Sequence, residues 1–176
     1  MSKATRGLAV LSHGLESGPD ATKVSALAEV AARHGWETLR PDYRDLDAMG
    51  LEQAGPPRLQ RLLSLLPADR PLLLGGSSFG AFISGRASLQ RHLCGLFLIA
   101  TPAGLPGDTT SLAMAQGIPT MLVHGWQDER CPVDQAIGIA AEHAADLLVL
   151  PGDHRLSAHV ARIAEAFDGF LRTLSP

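Results

Sequence analysis

Four short clusters hold the side chains best suited to chemistry: Ser12-His13-Gly14-Leu15-Glu16, Gly75-Gly76-Ser77-Ser78-Phe79-Gly80, His124-Gly125-Trp126-Gln127-Asp128 and Pro151-Gly152-Asp153-His154. The second contains G-x-S-x-G, with Gly76 and Gly80 two residues either side of Ser78. It follows the apolar run Pro71-Leu72-Leu73-Leu74 and precedes a stretch of helical period. Glycines so placed leave room for a sharp, strained strand-to-helix bend that lifts the serine hydroxyl above a sheet. Ser78 is therefore a candidate nucleophile. A serine hydroxyl at its ordinary pKa attacks poorly, so the motif has meaning only with a base and an oxyanion site nearby.

The elements that would bring such partners together are short apolar runs alternating with longer helical segments. This alternation implies α/β architecture: a parallel sheet with helices on both faces. The strands expected are Gly7 to Leu11, Glu37 to Arg40, Pro71 to Leu74, Gly95 to Ile99, Thr120 to Val123 and Leu147 to Leu150. Between the first two, Val24, Leu27, Ala28, Val30 and Ala31 recur at helical spacing, with Asp20 as N-cap and Gly35 as the stop. Further helices are expected over Arg58 to Leu66, Phe79 to Leu89, Asp134 to His143 and Ser157 to Leu174, the last capped by Ser157. Asp42 to Pro57 and the proline-rich Thr101 to Pro119 read as irregular. In open parallel sheets ligands bind at the carboxyl ends of the strands, and all four clusters fall there. A serine, an aspartate and a histidine thus come from three separate strand-end loops.

Composition narrows the setting. A chain of 176 residues fits one domain spanning 1–176, large enough for a single core. A formal net charge of −3, with 19% charged residues and no long charged run, gives no footprint for nucleic acid or an anionic membrane. A small, roughly neutral substrate fits better. Cys94 and Cys131 form neither a C-x-x-C pair nor a zinc-finger spacing, which suggests a reducing, cytoplasmic setting and no metal site. The N-terminal apolar run breaks at Ser12, too soon for a signal peptide, and no stretch reaches the ~20 apolar residues of a spanning helix. Exposed apolar stripes that would argue for a partner subunit are absent from the pattern.

From about residue 7 to 174 the chain resembles the α/β-hydrolase family. Gly76-Ser77-Ser78-Phe79-Gly80 is similar to its nucleophile elbow, His13-Gly14 to its oxyanion loop, His124 to Asp128 to its acid loop and Gly152-Asp153-His154 to its histidine loop. The order Ser, Asp, His is the one the family uses. The resemblance implies a three-layer α/β/α sandwich with a six-stranded parallel sheet, lacking the family's first two strands and any cap domain. It further implies a Ser78-Asp128-His154 triad, an oxyanion hole from the backbone N–H groups of Leu15 and Phe79, and acyl-enzyme chemistry without metal or organic cofactor. Within the family, His13-Gly14-Leu15 followed by Gly18-Pro19 and Lys23 is similar to small, lidless, esterase-like cytosolic members, which implies a small ester or thioester as substrate.

Each assignment has a rival. Ser77 should point away from the site, Glu129 should be solvated, and Asp134 reads as a helix cap or first-turn acid. Among the histidines, His143 and His159 lie in expected helices, and His13 and His124 read as loop-ordering groups bonded to backbone. Asp153 suits a loop-orienting role, and Cys131 a small packing position. Trp126, Tyr43 and Met114 are candidate substrate contacts, while Glu16 and Arg44 are candidate polar groups at the rim. Amide or peptide hydrolysis by the same triad, and a non-catalytic interaction protein on the same fold, are the alternative functions.

Overall fold

The computed structural model describes residues 5–106 and 112–174. Its centre is a six-stranded, wholly parallel sheet in the order β2-β1-β3-β4-β5-β6. The strands are β1 (Leu8–Ser12), β2 (Glu37–Leu39), β3 (Leu72–Ser77), β4 (Gly95–Ile99), β5 (Thr120–Gly125) and β6 (Asp146–Leu150). All six expected strands form. β3 and β5 run further than their apolar runs, so the glycine-rich Gly75-Gly76-Ser77 and the His124-Gly125 pair belong to the sheet itself.

Alternation along the strands distributes the core into two layers. Ala9 and Leu11 of β1, with Leu73, Phe97, Ile99 and Val123, face α1 (Thr22–Arg33) and α6 (Val160–Thr173). Leu8 and Val10, with Leu72, Leu74, Leu96, Leu98 and Leu122, face α3 (Leu51–Leu65), α4 (Phe79–Ala87) and α5 (Val133–His143). Phe97, Phe167 and Phe170 cluster on the first face with ring centroids 4.7 to 6.5 Å apart, the geometry of mutually tilted or offset aromatics. The result is a three-layer α/β/α sandwich.

Several local expectations are corrected. Asp20 does not cap α1: the N-cap is Ala21, with no side-chain hydrogen bond, and Asp20 lies one residue too early. Ser157 opens a short 3-10 turn, Ser157–His159, and α6 begins only at Val160. The stretch Asp42 to Pro57 is not irregular, because α2 (Arg44–Asp47) lies in it and α3 begins at Leu51, ahead of both prolines. Pro56 and Pro57 remove two ladder donors, but the carbonyls that lose them, on Glu52 and Gln53, belong to exposed residues. Arg58–Asp47 and Arg61–Asp45 pairs then tie α3 to α2. Between β4 and β5 the described residues form neither helix nor strand, as expected, although 107–111 of that segment lie outside the described residues.

Candidate active site

Ser78 sits between β3 and α4 with φ +54° and ψ −118°, the left-handed backbone that a serine adopts only under strain, at a cost of order 1–3 kcal/mol. Packing enforces it. The Ser78 N–H donates to the Ile99 carbonyl at 2.8 Å on the neighbouring strand. A Cβ on Gly76 would stand 2.5 Å from the Gly80 carbonyl carbon, and one on Gly80 would collide with the Ser12 carbonyl. Both motif glycines are therefore required by the close approach of β1, β3 and α4.

The bend presents the Ser78 Oγ 2.9 Å from His154 Nε2. On the far side of the imidazole, His154 Nδ1 lies 2.8 Å from Asp128 Oδ2. With Nδ1–H donating to the carboxylate, Nε2 keeps its lone pair for the serine proton. Asp128 is buried, and its other oxygen, Oδ1, accepts the backbone N–H groups of Arg130 (2.9 Å) and Cys131 (2.8 Å). Those bonds orient the carboxylate within its own loop. Asp153 does the same for the next loop, its Oδ1 accepting from Arg155 N (3.0 Å) and Leu156 N (3.1 Å).

The rivals fall elsewhere. Glu129 is exposed, Asp134 is a first-turn acid of α5, and Ser77 is buried at the end of β3. His159 donates to the Pro151 carbonyl from the 3-10 turn rather than from a helix, and His143 pairs with Gln116 at 3.0 Å. His124 Nε2 lies 2.7 Å from the Cys131 carbonyl, bracing the acid loop, and 3.3 Å from Asp128 Oδ2, a proximity that the sequence alone does not reveal. His13 bonds backbone at both nitrogens: Nδ1 donates to the Gly14 carbonyl at 2.7 Å and Nε2 accepts the Tyr43 N–H at 3.1 Å. Burial holds the His13 pKa below its usual range, which suits a ring used as both donor and acceptor.

None of the three candidate substrate contacts lines either cleft at Ser78. Tyr43 is fully buried, its hydroxyl 3.1 Å from Ser12 Oγ, and Met114 is buried against Gly85 of α4. Neither lines a cleft at Ser78. Trp126 is exposed but also lies outside both clefts. Glu16 does line one of them, whereas Arg44 is engaged by Asp42 at the surface.

The two clefts meet at Ser78, His154, Leu15 and Arg130. One, about 620 Å³, is polar, with Glu16, Lys23 and Arg155 in its wall. The other, about 460 Å³, is more apolar, walled by Leu51, Phe79, Pro102 and Leu105. Asp128, Cys131 and His154 offer potential ligand atoms within 4.8 Å of one another. Burial and the Asp128 charge push the Cys131 thiol up to about 12, so it stays protonated and behaves as a packing group rather than a thiolate ligand.

A Ser–His–Asp relay at the carboxyl edge of a parallel sheet, buried at Asp128 and open to the clefts at Ser78 and His154, has the geometry of a hydrolase-type site. No family model and no curated protein matches the chain, but solved structures do. It is 43% identical to a protein from Xanthomonas campestris pv. campestris described as a hydrolase of the alpha/beta superfamily, covering 96% of this chain and 100% of that one with a TM-score of 0.91. The chain belongs to the α/β-hydrolase superfamily. More distant likenesses, which share the fold, include an α/β serine hydrolase without a lid from Xanthomonas campestris (19% identity, 99% of this chain, 87% of that one, TM-score 0.69). The esterase domain of a Rhodothermus marinus protein is similar at 17% identity over 98% of this chain and 89% of that one, with a TM-score of 0.70. Among the described residues, no helix is long and apolar enough to cross a membrane.

Proposed function

We propose that the protein is a serine hydrolase, a carboxylesterase or thioesterase acting on small acyl substrates as a single α/β-hydrolase domain. The observation that carries this is the unbroken relay from Ser78 Oγ through His154 to Asp128, at 2.9 and 2.8 Å. Ser78 Oγ attacks the acyl carbonyl carbon while His154 Nε2 takes the hydroxyl proton, and Asp128 stabilises the imidazolium. The carbonyl oxygen, now an oxyanion, is received by the N–H groups of Leu15 and Phe79. Phe79 is the first residue of α4, where the helical ladder leaves the N–H free and the helix dipole adds positive potential. Collapse expels the alcohol or thiol, which takes the proton from His154. Water then enters by the reverse sequence, releases the acid and restores Ser78.

The clefts support the substrate class. An apolar wall on one side and a polar one on the other suit a small ester or thioester with one apolar and one polar arm. Two cysteines without a disulfide suit the cytoplasm. The decisive experiment is labelling with a fluorophosphonate. Wild-type protein should be modified at Ser78 with loss of p-nitrophenyl acetate turnover, and Ser78→Ala should take no label and lose about 10⁶ in kcat. An unlabelled wild type would defeat the reading.

A further inference from the structure

Arg58, in the sequence merely the first residue of an expected helix, is fully buried beneath the site. Its guanidinium uses four hydrogen bonds. Nε and Nη2 grip the Asp47 carboxylate in a fork, at 2.6 and 2.5 Å. Nη1 donates to the His13 carbonyl at 2.8 Å, and Nη2 reaches the Gly14 carbonyl at 3.3 Å. The guanidinium carbon lies 4.4 Å from the centre of the Phe79 ring and 4.6 Å from that of Tyr43, within cation–π range of both. One side chain from α3 therefore touches the two residues preceding Leu15 and the ring of Phe79, the two donors assigned to the oxyanion.

We propose that Arg58, anchored by Asp47, is a positioning residue for acyl transfer: it clasps the Ser12–Leu15 loop to the start of α4 and so sets the spacing between the Leu15 and Phe79 N–H groups. This rests on the serine-hydrolase reading for its kinetic consequence, but the clasp itself is a structural claim. In a planar trans peptide the Gly14 carbonyl and the Leu15 N–H belong to one unit and point in opposite directions, so holding that carbonyl fixes the direction of the Leu15 N–H, and holding the His13 carbonyl fixes the unit before it. A planar fork is needed because three acceptors in different directions must be met at once, and a lysine ammonium cannot span the carboxylate and both carbonyls in that plane. Asp47 supplies the opposite charge that lets a guanidinium remain buried there.

The test uses Arg58→Lys and the near-isosteric Asp47→Asn, each first shown folded by circular dichroism. Amide hydrogen exchange of the segment 12–17 should quicken about tenfold in Arg58→Lys. Its kcat for p-nitrophenyl acetate should fall about 100-fold, with KM within about twofold, since small misplacement of a transition-state donor has that effect. Asp47→Asn should do the same to a lesser degree, about tenfold. The acid limb of the kcat/KM profile, which reports the base, should not move, since neither residue touches His154. Wild-type exchange and wild-type kcat in the folded variants would overturn the clasp, as would a loss of rate that came with a displaced acid limb or a raised KM. Failure of the wild type to react with a fluorophosphonate would defeat the hydrolase reading alone, and the exchange measurement would still decide on the clasp.

Discussion

On the β5–β6 side of the site, Asp128 and the His154 loop are held by backbone groups two or three residues away in the chain. On the β1 side, His13 and Gly14 are held by Tyr43, 30 residues distant, and by Arg58, 44 and 45 residues distant. Both sides flank Ser78, yet the first leans on local turns, with Lys23 Nζ donating to the Arg155 carbonyl at 2.6 Å as a distant tie, and the second leans on tertiary contacts. The local side is ordered first by its own aspartates, since an Asx-type turn forms wherever the side-chain oxygen can reach a following N–H, and the Gln127 N–H to Gly152 carbonyl bond joins its two loops. The distant side depends on α2 and α3 folding against β1 and carries a buried charge pair that is costly to disturb.

This contrast can be broken at several points. The largest effect should come from the local side, at the relay itself. Asp128→Asn should lower kcat for p-nitrophenyl acetate by about 10⁴, as in comparable triads where the amide imposes the wrong tautomer on the histidine. Its urea midpoint should stay near that of the wild type, because the amide oxygen can still accept the Arg130 and Cys131 N–H groups. Wild-type turnover in that variant would remove Asp128 from the relay. A smaller effect is expected at Asp153→Ala, which deletes the one carboxylate oxygen that accepts two backbone N–H groups in an exposed turn and should destabilise by about 1 kcal/mol. Turnover there should drop less than tenfold, and a loss as large as that of Asp128→Asn would mean that the histidine loop is not independently ordered.

The smallest effect belongs to the β1 side and to pH. His13 is kept below its usual pKa of 6.5 mainly by burial. As pH falls below 6.5 the unfolded chain gains this proton before the folded one, so stability should decline from there down to the folded pKa. The contribution cannot exceed one proton, about 1.4 kcal/mol per pH unit. Urea midpoints of wild type and His13→Asn, compared at pH 7.5 and 5.5, should show the flatter dependence in the variant. An equal slope in both would show that His13 takes no part.

The sheet was legible because parallel strands buried on both faces must be continuously apolar, and Leu72 to Leu74 and Gly95 to Ile99 are; Leu147 to Leu150 of the half-buried edge strand β6 is apolar as well. The order of chemical groups at the strand ends was legible for a related reason: Ser78 follows β3 at once, and Asp128 and His154 stand in the short loops just after β5 and β6, so locating the strand locates the group. The segment 42–57 was not legible. Proline pairs and a scatter of Asp and Arg resemble a loop when read locally, and helix formation there depends on ion pairs and on burial of Ala54, Gly55 and Arg58. Tyr43 and Met114 were misplaced by the same limit, since nothing local distinguishes an aromatic or methionine beside a cleft from one beneath it.

By itself, then, the sequence determined the layers and the strand-end loops, which follow from hydrophobic period, and its flanking glycines marked the bend at Ser78, which contacts with Ile99 and Ser12 then enforce. Only the tertiary structure decided that Arg58 lies buried under Phe79 and reaches the carbonyls of His13 and Gly14, and that two clefts of unlike polarity meet at Ser78. The reason is physical: a buried charge is tolerated only where partners from distant segments converge on it, and that convergence is a property of the packed fold rather than of any stretch of the chain.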